Sequence, residues 1–178
     1  MQTIVIVDDE VNVVRALERS LGRRGWQVES FTDPRAALKR LQTVPVDLVL
    51  SDYRMPQLDG VQLLSAVRAA QSEAMRLILS AHTDREALLG AINEAAIFRF
   101  LSKPWNDYEL LTAIDQALAY RAVLVENRCL ADEVRRQREH LTRQRQVLER
   151  LERLHPGITR VSWGADGAVL LDGDGKNE

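Results

Sequence analysis

The sequence predicts an α/β domain built on a five-stranded parallel sheet with helices on both faces, followed by a long helix and a short hairpin tail. Three observations lead there. Five short apolar, β-rich runs recur in the first 120 residues, each followed by a helical pattern. The stretch 121–155 that follows contains neither Gly nor Pro. The tail then places two apolar runs, 158–163 and 168–171, around Gly164-Ala165-Asp166-Gly167, a hairpin pattern.

The predicted strands are 4–7, 26–31, 47–50, 77–79 and 97–101. Between the first two, Val13, Val14, Leu17 and Leu21 recur at helical spacing until Gly22 and Gly25 stop the helix. The second helix opens at Asp33-Pro34, an N-cap followed by proline in the first turn. Thr83 with Glu86, and Asn106 with Glu109, have the spacing of capping boxes and open the fourth and fifth helices. Alternation of strand and helix five times over calls for an open, doubly wound sheet, because parallel neighbours need crossover helices.

Composition narrows the class further. The 178 residues carry a net charge of −2, with 46% hydrophobic and 28% charged residues, which excludes a disordered or collagen-like chain. The length allows one domain of ordinary size plus an appendage too small to be a second catalytic domain. No apolar run is long enough to span a membrane. Met1-Gln2-Thr3 leads straight into a strand with no basic leader, and Cys129 is the only cysteine, so a cytoplasmic location is expected. Charge marks three segments. Residues 1–120 hold 13 Lys and Arg against 16 Asp and Glu, 121–155 hold 9 against 6, and 156–178 hold 2 against 4. The expected organisation is therefore a globular domain, a helix and a hairpin with a polar tail over those three spans.

Chemistry in such sheets sits beyond the carboxyl ends of the strands. There the sequence places Asp8-Asp9-Glu10 after the first strand, Asp52 after the third, Ser80 after the fourth, and Lys103-Pro104 after the fifth. Carboxylates on adjacent loops form a hard-oxygen site suited to Mg²⁺. A hydroxyl and an ammonium on the same rim complement a phosphoryl group. Each residue also has a simpler reading on its own: Asp8 and Asp9 as helix caps, Ser80 as a strand-end polar group, Lys103 as a solvated lysine, and His82 as an exposed residue near a cap.

Four segments in order, Val7-Asp8-Asp9-Glu10, Asp52-Tyr53-Arg54-Met55-Pro56-Gln57-Leu58-Asp59-Gly60, Ser80-Ala81-His82 and Phe100-Leu101-Ser102-Lys103-Pro104, resemble the receiver domain of two-component response regulators. The resemblance covers residues 1 to about 120 and implies the flavodoxin-like receiver fold. It also implies that Asp52 accepts phosphate, that Asp9 binds Mg²⁺ directly, and that Asp8 binds it largely through water. The carbonyl of Arg54 completes the ligands from the protein, and Ser80 and Lys103 hold the phosphoryl oxygens. Arg54 and His82 occupy positions that tune phosphoryl lifetime, and Phe100 occupies that of the aromatic switch residue, more often Tyr in the family. The physical logic agrees, since a carboxylate attacks phosphorus only if the charge between two anions is neutralised, which Mg²⁺ and Lys103 do together.

The span 105–155 lacks any breaker, so the fifth helix is expected to run about 70 Å at about 1.5 Å per residue. Leu111, Ile114 and Leu118 form a stripe that packs on the sheet, after which the stripe changes phase. With Val134 at position a of a heptad, Asn127, Leu141, Leu148 and His155 are also a, and Val123, Leu130, Gln137, Gln144 and Leu151 are d. Glu133 at g and Arg138 at the following e suit a parallel dimer, whose seam would be carried by Val134, Leu141, Leu148 and Leu151. The alternative is an amphipathic helix folding back on its own domain. Arg135, Arg136 and Arg143 could suggest nucleic acid, but interleaved acids and the lack of a following helix-turn-helix favour a solvated coil face. Trp163 is the natural anchor of the hairpin. The expected protein is a phosphorylation-controlled switch rather than an enzyme acting on an external substrate. A histidine kinase or phosphotransfer protein would supply its phosphate, and output would pass to a homodimer or a downstream protein effector. The alternatives are a nucleic-acid-binding regulator and an effector-less phosphate relay.

Overall fold

The structure, a computed structural model, describes residues 1–22, 24–81 and 95–157, and the paired backbone of 162–163 and 169–170. His82 and the predicted fourth helix with its Thr83 and Glu86 lie outside the described residues. The chain divides into two compact units, Met1–Asn127 and Arg128–Glu178.

In the first unit, β1 (Thr3–Val7), β2 (Gln27–Phe31), β3 (Leu48–Asp52), β4 (Met75–Ala81) and β5 (Arg99–Lys103) form one sheet of order β2-β1-β3-β4-β5. Every pairing is parallel. The helices are α1 (Val11–Leu21), α2 (Pro34–Thr43), α3 (Gly60–Ala70) and the long α4 (Asp107–Leu154), which continues into the second unit. The period of two along each strand divides the core into two layers. Val5, Val7, Val49 and Ile78 face α2 and α3 through Ala37, Leu41, Leu64 and Val67. Ile4, Ile6, Leu50, Leu77 and Leu79 face α1 and α4 through Leu17, Leu21, Leu110, Ile114 and Leu118. Burial of those side chains, each worth about 1.5–3 kcal/mol, holds the sheet and so fixes where its strand ends lie.

Local chemistry sets the helix limits. The Asp33 side chain accepts from Arg35 N–H at 2.9 Å with Pro34 in the first turn, as the sequence predicts. Gly22 N–H closes α1 on Glu18 O at 2.9 Å, and Gly25 takes φ 73°, a left-handed conformation that favours glycine. Asn106 Oδ1 accepts from Tyr108 N–H at 2.8 Å at the start of α4. Arg121 of α4 pairs with Asp47 at 2.6 Å, and the second oxygen of Asp47 accepts from Thr3 N–H at 2.6 Å. This ties α4 to the amino ends of β1 and β3.

The strand limits depart from the sequence reading by one or two residues, β4 gaining two at each end of the expected 77–79, and two of the shifts bear on the rim. β3 runs on through Ser51 and Asp52, and β5 is displaced two residues toward Lys103. Both extensions carry polar side chains, so the apolar pattern ends before the hydrogen-bonded ladder does.

In the second unit the residues of α4 expected at a seam are exposed, Leu141 at 62% and Leu148 at 52%. Arg135, Arg136 and Arg145 pair along the helix with Asp132, Glu133 and Glu149. β6 (Ser162–Trp163) and β7 (Val169–Leu170) form the antiparallel pair of the predicted hairpin.

Candidate functional site

The strand order reverses between β1 and β3, which opens a crevice at their carboxyl ends. Asp8 follows β1, Asp52 ends β3, and Lys103 ends β5. Their side chains meet there. Lys103 Nζ lies 2.7 Å from Asp8 Oδ2 and 2.5 Å from Asp52 Oδ1, so one ammonium bridges two carboxylates.

The remaining oxygens are held by backbone. Asp8, fully buried, accepts from Glu10 N–H at 2.9 Å through Oδ1, and Asp52 accepts from Arg54 N–H at 2.9 Å through Oδ2. Asp8 therefore braces the β1–α1 turn, while Glu10, at the N-cap position before α1, makes no side-chain cap. Burial raises the Asp8 pKa above the usual carboxylate range, more than the Lys103 hydrogen bond, the Glu10 N–H and the Lys103 charge lower it; the charge on Asp52 raises it further. Burial also pulls Lys103 down, but its hydrogen bonds to Asp52 and Asp8 and the negative charges of both together outweigh that and lift its pKa above the ordinary lysine value. The ammonium is therefore firmly protonated at neutral pH.

The loop after Asp52 is over-determined. Tyr53 N–H donates to Leu79 O at 2.8 Å, and Gly60 N–H donates to Tyr53 O at 2.9 Å. The buried Met55 plugs the loop into the core. Gln57 sits at φ 70°, where a non-glycine residue is strained. Asp59 and Gln62 form a reciprocal capping box at the start of α3, Asp59 Oδ1 accepting from Gln62 N–H at 2.8 Å and Gln62 Oε1 from Asp59 N–H at 3.3 Å. A Cβ at Gly60 would stand 2.1 Å from the Asp52 carbonyl oxygen and 3.1 Å from Ser51 Oγ. Only glycine lets α3 start this close to Asp52.

These supports were missed by sequence reasoning. The Asp-x-x-Gln spacing of the capping box could have been found, whereas the close approach of Gly60 has no local signature.

The other predicted residues lie on strands of the same sheet and the loops that follow them. Asp9, next in the chain after the buried Asp8, is exposed, and so is Arg54. Ser80 is buried one residue beyond the β3–β4 pairing of Asp52 with Leu79, and its hydroxyl donates to Ala81 O at 3.0 Å. Lys103 pairs in register with Ala81. Phe100 is half-buried and packs on the α2–α3 side of the core, opposite Ile78 in the β4–β5 register.

Asp8, Asp52 and Lys103 leave a net single negative charge, and Asp9 adds another. Among the described residues no three acidic, histidine or cysteine side chains are gathered around one metal position. Mg²⁺ does not require three, since it keeps several waters and takes one or two carboxylates. Two carboxylates already converge on one cation, and the donors are hard oxygens, so the residues fit a divalent ion.

Comparisons with known proteins give the same family. The response regulator receiver domain matches residues 4–115. The hydrogenase transcriptional regulatory protein HoxA of Cupriavidus necator is 38% identical over 118 residues, 65% of this chain and 24% of HoxA. The transcriptional regulatory protein FixJ of Bradyrhizobium diazoefficiens is 32% identical over 149 residues, 83% of this chain and 72% of FixJ. The chain thus spans about a quarter of HoxA and most of FixJ. The solved signal receiver domain of an HD domain-containing protein from Pseudomonas fluorescens Pf-5 superposes with TM-score 0.67 at 34% identity, covering 70% of this chain and 92% of that one. With its parallel sheet and its rim of Asp8, Asp52 and Lys103, the chain belongs to the response regulator receiver domain family.

Proposed function

We propose that this protein is a phosphorylation-controlled switch of a two-component system in which Asp52 accepts phosphate from a histidine kinase or phosphotransfer protein. The observation that carries the reading is the Lys103 ammonium set between Asp8 and Asp52 at 2.7 and 2.5 Å. An anion arriving at Asp52 meets a fixed positive charge, which removes the main barrier to attack by a carboxylate. An Asp52 oxygen bonds to phosphorus as the bond from phosphorus to the donor nitrogen breaks, and the donor imidazole regains a proton.

Asp9, Asp52 and the Arg54 carbonyl would hold Mg²⁺, with Asp8 acting largely through water. When bound, the ion neutralises charge on the phosphoryl oxygens. Lys103 and Ser80 would hold those oxygens. Ser80 must turn from Ala81 O to do so, and its departure makes room for Phe100 to move inward. Arg54 and His82, two residues beyond Asp52 and Ser80, would tune how long the phosphoryl group lasts. The protein would act catalytically only on its own phosphate, forming and hydrolysing it.

Output is assigned to the long helix. The receiver would occupy 1–120, a coiled coil 121–155 and the hairpin with its tail 156–178. Exposed Leu130, Val134, Leu141, Leu148 and Leu151 support a homodimer seam, since such a stripe gains nothing from water. A downstream protein effector would read the dimer or the switched face. No helix among the described residues is long and apolar enough to cross a membrane, and we assign the protein to the cytoplasm.

A second reading, a nucleic-acid-binding regulator, draws on the transcriptional role in the names of HoxA and FixJ. Against it, Arg135, Arg136 and Arg145 already pair with acids on their own helix. The test is incubation with a phosphorylated kinase. Wild type should take up acid-stable, base-labile phosphate and Asp52→Asn none; labelling that survives in the variant would overturn the assignment. Retention on DNA with a steep salt dependence would favour the second reading.

A further inference from the structure

At the amino ends of β4 and β5, the far end of the strands from Asp52, an open groove of about 570 Å³ is lined by Met75, Arg76, Ile97, Phe98, Tyr120, Leu124 and two small neighbours. Its walls are apolar and aromatic. The rings of Phe98 and Tyr120 lie 5.7 Å apart at 30°, while Tyr120 and Leu124 keep exposed surface.

Arg76 is the unusual member, a cation only 7% exposed. Its partners are all neutral carbonyls. Nε donates to Ala95 O at 2.8 Å, Nη1 to Ala74 O at 2.6 Å and Ser72 O at 3.3 Å, and Nη2 to Ala96 O at 3.3 Å. Among the described residues no carboxylate pairs with it. Burial pushes its pKa below the ordinary arginine value, and the like charge of Arg68 adds to that. A buried cation without a counter-charge is costly, so an incoming carboxylate gains more here than at an exposed arginine.

We propose that this groove docks an acidic, apolar segment of a protein partner, with an Asp or Glu carboxylate against the Arg76 guanidinium and a neighbouring apolar side chain over Phe98 and Leu124. The open side and aromatic wall suit a peptide, whereas a free inorganic anion would make no use of the apolar surface. The site is independent of phosphate on Asp52. If Arg76 served only to staple 72–74 to 95–96, no ligand preference would follow.

The test is to pan a random heptapeptide display library on the full chain and to measure the enriched sequences as synthetic peptides by fluorescence anisotropy. Enriched peptides should carry Asp or Glu within two positions of Leu, Ile, Phe or Tyr, and changing the acid to its amide should weaken binding at least tenfold. Leu124→Glu, on the groove wall, supplies a competing carboxylate within the chain. It should weaken the peptide at least tenfold and raise the melting temperature. Arg76→Gln should abolish binding, and Leu124→Glu keeps the test decisive if Arg76→Gln fails to fold. Enrichment of peptides without an acid, affinity unchanged by Leu124→Glu, or no enrichment at all would overturn the proposal.

Discussion

Gly60 and Asp52 are in such close approach that a single methyl group at position 60 would fall 2.1 Å from the Asp52 carbonyl oxygen. Neither α3 nor the end of β3 can yield alone, because Gly60 N–H is bonded to Tyr53 O and Tyr53 N–H to Leu79 O. Gly60→Ala should lower stability by about 1–3 kcal/mol, as overpacking does, and slow phosphate uptake by displacing Asp52. Denaturant titration and kinase labelling measure the two effects. An unchanged midpoint would show that the loop shifts freely.

Lys103 is the counter-charge of two carboxylates, so Lys103→Met leaves Asp8 and Asp52 facing each other without it. Breaking such a pair costs about 3–5 kcal/mol. The loss should be largest at neutral pH without divalent cations and shrink in acid, where Asp8 takes up a proton. In wild type, Lys103 has a folded pKa above its ordinary 10.5, so its contribution is complete below that value and is lost as pH rises through the folded pKa. Asp8 is raised from 3.8, so its share of stability is largest in acid and falls as pH climbs from 3.8 through the raised value. Melting temperature against pH for both proteins checks the signs.

Asp59→Ala removes one arm of the capping box at the start of α3 and should lower stability by about 1 kcal/mol. Asn at this position should recover most of that. Equal stability of the Ala and Asn variants would mean that the cap contributes nothing.

Leu141, 62% exposed, is the test residue for the proposed seam. Leu141→Asp should shift sedimentation from dimer toward monomer while leaving the receiver melting transition in place. A wild type that sediments as a monomer at every concentration would remove the dimer.

The sheet and the rim were legible because hydropathy marks strands directly, and the carboxyl ends of parallel strands follow from their limits. Asp8, Asp52 and Lys103 were placed on one rim without any distance. Hydropathy ended β3 at Leu50 and β5 at Leu101 because Ser51, Asp52, Ser102 and Lys103 are polar, although Ser51 is fully buried and Asp52 nearly so. Polar groups inside a sheet depend on partners that come from elsewhere in the chain. For the same reason Lys103, expected to face a phosphoryl group, sits across two carboxylates here, and the bracing of the loop by Gly60 became visible only in three dimensions.

The Lys103–Asp8 contact joins residues 95 positions apart, with Asp52 on β3, one of the two strands between them. With Asp52 as the acceptor we propose, a chain emerging from the ribosome would lack the ammonium beside it until its fifth strand is out and seated. Any local opening that detaches β5 would withdraw the ammonium, and with it the proposed chemistry, even while Asp52 stays in its own strand. Uptake of phosphate would thus report the integrity of the whole sheet, and a half-made or damaged copy would stay silent rather than send a false signal.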